Sequence, residues 1–240
     1  MHPSVQPRTL TTGQARDSEL PAEFELLCWN VYKQRRRRFE AELEQLSTEV
    51  ELLVLQEATD EPPIWTLEID QREWALVVAF EHGRDRTPHG VATASTAEPV
   101  REQAMLSPVR EPLIRTPKSA LLTWVELERS DSRLLLVNLH AVNFRPARAL
   151  DAQLLEIGEA IATHTGPLVV AGDFNTWSRR RRAVVEQFAQ RHGLASLFRD
   201  VPGRRLDDVF VRGLVVRDVE VFPSRGSDHD ALWVSLAVDD

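Results

Sequence analysis

Short apolar runs, each broken off by a polar pair, recur along the chain and predict a series of buried strands. Phe24 to Tyr32 reads as the first, with Asn30 near its end, and Leu52 to Leu55 as the second, terminating in Gln56 and Glu57. Trp74 to Phe80 and Val91 to Ser95 have the same character, separated by a loop that holds His82 and His89. Residues 98–118 contain four prolines and predict a long surface loop with Lys118 at its exit. Ser119 to Leu127 and Arg133 to Val142 predict a hairpin of long strands. Leu168 to Trp177, Leu-Val-Val-Ala-Gly-Asp-Phe-Asn-Thr-Trp, is a continuous apolar run that stops at Gly172 and then delivers Asp173 and Asn175, two residues apart, to one side. Leu206 to Arg212, Val215 to Phe222 and Ala231 to Val238 close the chain, the last alternating through Leu232, Val234 and Leu236.

Helical spacing is confined to three stretches. Phe39, Leu43 and Leu46 follow the basic run Lys33 to Arg38; Leu150, Leu154, Ile157 and Ile161 trace one face between Ala147 and His164; Val184, Val185 and Phe188 follow a helix start near Ser178. Strands outnumber helices, and many runs are apolar on both faces. The expected fold is therefore α/β, a four-layer α/β/β/α sandwich of two packed mixed sheets flanked by helices. No repeat or internal boundary interrupts residues 23–240, which read as a single domain. Residues 1–22 lack periodicity and are expected to be a flexible arm or a strap over the surface.

Composition narrows the partners. At 240 residues, 42% hydrophobic and 28% charged, the chain is an ordinary globular one. The lone cysteine, Cys28, lies within an apolar run, which excludes an internal disulfide framework and fits a reducing, cytoplasmic compartment. Nothing in the sequence reads as a membrane span or a secretory leader, and a monomer is expected. A net charge of -8 argues against a general nucleic-acid coat, so polyanion binding would have to come from local basic clusters.

The strand ends collect Asn30, Glu57, His140, Asn143, Asp173, Asn175, Asp207 and the pair Asp228 and His229. Carboxylate and carboxamide oxygens suit a hard cation, Mg²⁺ or Mn²⁺, better than zinc. A histidine within reach of a carboxylate is held in one tautomer and made more basic, as activation of water requires. Together these groups describe hydrolysis of a phosphate ester.

In order, Cys-Trp-Asn-Val, Leu-Gln-Glu-Ala, Asn-Leu-His-Ala-Val-Asn, Gly-Asp-Phe-Asn, Arg-Leu-Asp-Asp-Val-Phe and Ser-Asp-His-Asp resemble the endonuclease/exonuclease/phosphatase superfamily, which has the DNase I-like fold, over about residues 24–238. The wording around Gly-Asp-Phe-Asn-Thr-Trp-Ser-Arg-Arg-Arg is similar to that of the bacterial YafD-like branch. The resemblance implies that Glu57 is the principal metal ligand, helped by Asn30 and Asp228. It implies that His229 is the active-site histidine, oriented by Asp207, and that Asp173 and Asn175 position the attacking water. His140, with Asn143 close by, falls where a donor to the phosphate or leaving group is expected. Whether Asp173 or His229 takes the proton from water stays open.

Arg179, Arg180, Arg181 and Arg182 follow the site strand directly, and four arginines in a first turn oppose the helix dipole, so phosphates beyond the scissile one are candidate partners. Arg145, Arg148 and Arg35 to Arg38 follow other site strands, Lys118 leads into one, and Trp177 is a candidate base platform. These features favour a metal-dependent phosphodiester hydrolase acting on nucleic acid. The alternatives are a phosphatase or phosphodiesterase for a small phosphoester or lipid headgroup, and a silent binding module on the same scaffold. Thr59, where many relatives carry a lysine, departs from the abasic-site repair pattern.

Overall fold

The doubly apolar runs become the middle strands of two sheets, and the polar pairs that end them gather at one end of the sandwich. The structure is a computed structural model that describes residues 1–60, 64, 71–113, 115–201 and 206–239. In chain order the strands are β1 (His2–Pro3), β2 (Thr9–Gly13), β3 (Glu23–Asn30), β4 (Leu52–Thr59), β5 (Glu73–His82), β6 (Thr87–Ser95), β7 (Pro99–Leu106), β8 (Ser119–Val125), β9 (Leu134–His140), β10 (Leu168–Asp173), β11 (Ala195–Ser196), β12 (Asp207–Arg212), β13 (Val215–Phe222) and β14 (Ala231–Ala237). Among the described residues the longer helices are α1 (Phe39–Ser47), α2 (Ala147–Ile161) and α3 (Arg179–Arg191), with a short 3-10 turn at Tyr32–Gln34.

One sheet runs β1-β5-β6-β4-β3-β14-β13 with β2 also on β5, and the other runs β11-β12-β10-β9-β8-β7. Each is mixed: β3 and β4, and β9 and β10, are parallel neighbours among antiparallel ones. Leu26, Cys28, Val54, Leu136, Val169, Val209 and Val234 pack between the sheets. Leu139, Leu150, Leu154, Val170, Val185 and Phe188 join α2 and α3 to the outer face of the second sheet. Phe39 and Leu43 of α1 close over Leu27, Trp29, Leu53 and Leu55 on the outer face of the first. The four layers are those expected, α/β/β/α.

Three expectations change. Residues 98–118 are a loop only in their second half: β7 pairs antiparallel with β8, and its Pro99, Arg101, Glu102 and Gln103 are tolerated because it is an edge strand. His89 is no loop residue but a buried member of β6, since only Gly83 to Arg86 separates β5 from β6. Of the two readings of residues 1–22, the flexible arm gives way to the strap: β2 lies antiparallel on β5, and Leu20 bridges to Leu127. Among the described residues no helix is long and apolar enough to cross a membrane.

Two backbone features aim the site. The register between β4 and β6 shifts between Leu55 and Ala58, and Glu57 sits in that bulge with φ of 52°. Gly172 has φ of 150°, and a Cβ there would meet the Leu139 carbonyl oxygen at 1.8 Å, so only glycine lets β9 run this close beside β10.

Candidate active site

Strand register places the polar ends in a row. Asp173 at the end of β10 lies beside His140 of β9 on one flank and Asp207 of β12 on the other. On the facing sheet Asn30 ends β3 beside Gln56 of β4, with Glu57 next in the bulge. Asn30 Nδ2 then crosses between the sheets to Asp173 Oδ2 at 3.2 Å.

Asp173 is the hub. Its Oδ1 accepts from the Asn175 backbone N–H at 2.8 Å, its Oδ2 accepts from Asn175 Nδ2 at 3.3 Å, and His140 Nε2 lies 3.5 Å from Oδ2. Burial first, then the charge of Asp207, pushes the Asp173 carboxyl up from its ordinary range. His229 Nδ1 pairs with Asp207 Oδ2 at 2.7 Å. Burial opposes charge on that ring, yet the hydrogen bond and charge of Asp207 outweigh it and raise His229 to about 9. The loop that carries His229 is fixed by Trp29 Nε1 donating to its carbonyl and by Ser227 Oγ donating to the Asn30 carbonyl at 2.5 Å. His140 is buried, and burial followed by the Lys118 charge holds it well below the usual imidazole range, so it is neutral.

Glu57 faces two ammonium groups, Lys33 Nζ at 2.6 Å and Lys118 Nζ at 3.9 Å. Burial disfavours its charge, but Lys118 and then Lys33 overcome that and keep its carboxyl low. Glu57, His140, Lys33 and Lys118 line one cavity of about 190 Å³ together with Asn143.

The residues read from the sequence as a site therefore do not all stand alike. Asn30, His140 and Asn175 meet Asp173; Asp207 and His229 lie beside it; and Glu57 is within electrostatic reach of His229. Asp228 is exposed, with Oδ1 3.4 Å from Ser227 Oγ. Asn143 Oδ1 accepts from Phe144 N and from Trp177 Nε1, which holds the half-exposed Trp177 ring at the rim. The Asn175 amide nitrogen is taken up by Ala141 O and Asp173, so it braces Asp173 instead of pointing into the cleft. Arg179, Arg180 and Arg182 are exposed.

Arg181 is a correction. It is completely buried, and its guanidinium donates to the carbonyls of Asn175, Arg145 and Val142, so it is a clamp on the two loops that follow β9 and β10 and cannot reach substrate. The α3 register turns the third arginine of the run inward, while Ser178 caps the helix from its side-chain oxygen. Arg145, half-buried, gives Nε to the Arg110 carbonyl.

For a metal, the telling atom is Asp207 Oδ1, which is buried without a partner among the described residues. Asp173, Asp207 and His229 each offer a ligand atom within 4.8 Å of one another. The family resemblance put the metal on Glu57, Asn30 and Asp228. Here the Glu57 carboxylate is answered by lysines, and the Asn30 amide oxygen accepts from Tyr32 N. Both sets are dominated by hard oxygen donors and fit Mg²⁺ or Mn²⁺.

Residues 27–229 match the model of the "Endonuclease/Exonuclease/phosphatase family". A UPF0294 protein of Klebsiella pneumoniae (strain 342) is 40% identical over 226 residues, covering 88% of this chain and 81% of that protein. Among solved structures, an endonuclease/exonuclease/phosphatase from Bacteroides vulgatus is similar with a TM-score of 0.70 at 13% identity, covering 90% of this chain and 99% of that one. The human Nocturnin catalytic domain with bound sulfate has a TM-score of 0.67 at 17% identity, covering 98% of this chain and all of that domain.

Proposed function

The chain belongs to the endonuclease/exonuclease/phosphatase family, whose members are hydrolases acting on phosphoesters, and from that premise we propose that it is a nuclease, cleaving phosphodiester bonds by in-line attack of water with the aid of Mg²⁺ or Mn²⁺. The observation that carries this reading is the meeting of Asn30, His140, Asp173, Asp207 and His229 around one point between the two sheets.

Asp207, whose Oδ1 is without a partner among the described residues, would hold the cation, with Glu57 on the facing sheet. When bound it supplies charge stabilisation to the phosphoryl oxygens. The remaining work falls to the side chains. Asp173, whose raised proton affinity suits a base, orients the attacking water and takes its proton, steadied by Asn30 and Asn175. His229 is kept cationic by Asp207 and turns its Nε2 side away from that partner, where it neutralises charge building on phosphorus. Neutral His140 donates a single N–H toward the phosphate or the leaving oxygen. Exposed Arg179, Arg180 and Arg182 and the fixed Trp177 ring, all just beyond β10, support a polymeric nucleic-acid substrate.

The test is turnover of bis-p-nitrophenyl phosphate and of oligonucleotides with each metal. Glu57→Gln, Asp173→Asn and His229→Ala are each expected to fold and to lose roughly a hundredfold or more in rate. Near wild-type rates in all three would sink the assignment.

A further inference from the structure

β9 reads Leu-Leu-Leu-Val-Asn-Leu-His and is buried at every position, yet one of its interior positions is a carboxamide, Asn138, with 0% exposure. A buried amide costs stability unless its donors and its acceptor are met. Those of Asn138 are met from the other sheet. Its Nδ2 donates to the carbonyls of Leu55 on β4 and Ala92 on β6 at 3.2 and 2.9 Å, with Thr93 Oγ1 of β6 also at 3.2 Å. Its Oδ1 accepts from Gln56 Nε2 at 2.9 Å.

These partners mark one spot in the facing sheet. Leu55 and Ala92 are the last matched pair of β4 and β6 before the register shifts, and the next matched pair is Ala58 with Gly90. Between those pairs β4 holds Gln56 and Glu57, where β6 holds only Val91. Asn138 therefore grips the bulge where it begins, by a carbonyl on each strand and by the Gln56 amide, which itself donates to the Val54 carbonyl at 3.0 Å. Glu57 follows at φ of 52°, a left-handed conformation that a glutamate keeps only where its surroundings impose it. Side chains alternate along a strand, so a bulge displaced by one residue would turn Glu57 off the cleft.

Lys33 and Lys118 hold the carboxylate end of Glu57, and the Asn138 contacts hold the backbone from which that side chain starts. His140, two residues further along β9, has an anchor of its own in Gln153 Nε2, which donates to its carbonyl at 3.1 Å. The leverage of Asn138 thus falls on Glu57.

We infer that Asn138 is a positioning residue for the reaction: its carboxamide reaches across the sandwich, fixes the bulge in β4 and so aims the Glu57 carboxylate at the cation. Sealed in the interior, it acts through Glu57 and touches neither substrate nor metal. The inference rests on the reading of Glu57 as part of a cation site and deepens it, because the strand that ends in His140 also sets a ligand on the opposite sheet.

The experiment is Mn²⁺ binding to the full chain, read from the free-ion signal in electron paramagnetic resonance, with circular dichroism to establish that each variant is folded. Wild type is compared with Asn138→Leu, which is close in volume and removes the amide, and with Asn138→Asp, which keeps an oxygen for Gln56 but cannot donate to both carbonyls. Glu57→Gln, alone and combined with a folded Asn138 variant, completes the cycle. Residues that orient a metal ligand are worth about tenfold to a hundredfold in affinity. Asn138→Leu is expected to raise the Mn²⁺ dissociation constant tenfold or more, and Asn138→Asp severalfold. In the Glu57→Gln background the Asn138 change is expected to add less than twofold, because no carboxylate remains to be aimed. A residue that serves the core alone would lower the melting temperature and leave the Mn²⁺ constant of the folded protein where it was. Constants within twofold of wild type, an equal loss with and without Glu57, or failure of both Asn138 variants to fold would each overturn the inference. A wild type that binds no Mn²⁺ would remove the cation reading and the inference with it, whereas Mn²⁺ binding indifferent to Asn138 would remove the inference alone.

Discussion

Two side chains of the site show how far burial decides the role of a charge. Arg181 and Arg180 are neighbours of identical chemistry, yet one is sealed beneath α3 and the other is in water. A buried guanidinium is tolerable only because three carbonyls receive it, and those carbonyls belong to the segments that follow β9 and β10. Arg181→Met is therefore expected to leave all three acceptors unanswered and, at about 1–3 kcal/mol for each buried acceptor, to lower the unfolding free energy by about 3 kcal/mol or more, read from urea denaturation. A loss under about 1 kcal/mol would mean that water replaces the clamp. Asp173 and Glu57 make the same point with the opposite sign: burial raises one carboxyl, and two lysines hold the other down.

At the scale of elements, β7 is the instructive case. Its Pro99, Arg101 and Glu102 read as loop because an edge strand needs little apolar surface and gains from residues that deter pairing with another chain. One of them, Glu102, is pushed up to about 7, chiefly by burial and then by Glu73 on β5. A carboxyl whose folded pKa lies above its unfolded one binds its proton more tightly in the native state. Its contribution is complete below the ordinary value of 4.5 and is lost as pH rises through about 7. Glu102→Gln should accordingly flatten the fall in melting temperature between pH 4.5 and 7, and should melt higher than wild type at pH 8. An unchanged pH slope in thermal scans would refute this.

The same logic explains what was legible in the sequence. β3, β4, β9 and β10 announced themselves because strands buried on both faces must be continuously apolar, and their polar ends stood out against that run. β2 did not, since Thr9 to Gly13 takes its conformation from β5 and has no apolar run of its own. Lys33, His89 and Ser119 were missed as cavity residues for a different reason. Nothing local marks them, and they meet only because two sheets close on each other. Asn138 belongs with them: it joins Gln56, Leu55 and Ala92 across the sandwich behind the site, a polar link in a strand that otherwise reads as core.

For the molecule as a whole, the net charge of -8 opposes any polyanion at long range, so attraction depends on the exposed arginines at Arg35 to Arg38, Arg148, Arg179, Arg180 and Arg182. Neutralising three or four phosphates of a single strand would weaken binding roughly twentyfold to fiftyfold between about 50 and 200 mM salt. Oligonucleotide KM should climb steeply over that range while the KM for bis-p-nitrophenyl phosphate moves little. Equal salt slopes for the two substrates would place the arginines outside the path of the strand.

The bond from Asn30 to Asp173 fastens one sheet to the other at the spot where the reaction is proposed to occur. No breathing motion that parts the layers can spare it, and none that severs it leaves the proposed base aligned. The reactive geometry is thus not a fitting attached to a finished scaffold: on slow warming, activity is expected to fall together with the parting of the two layers.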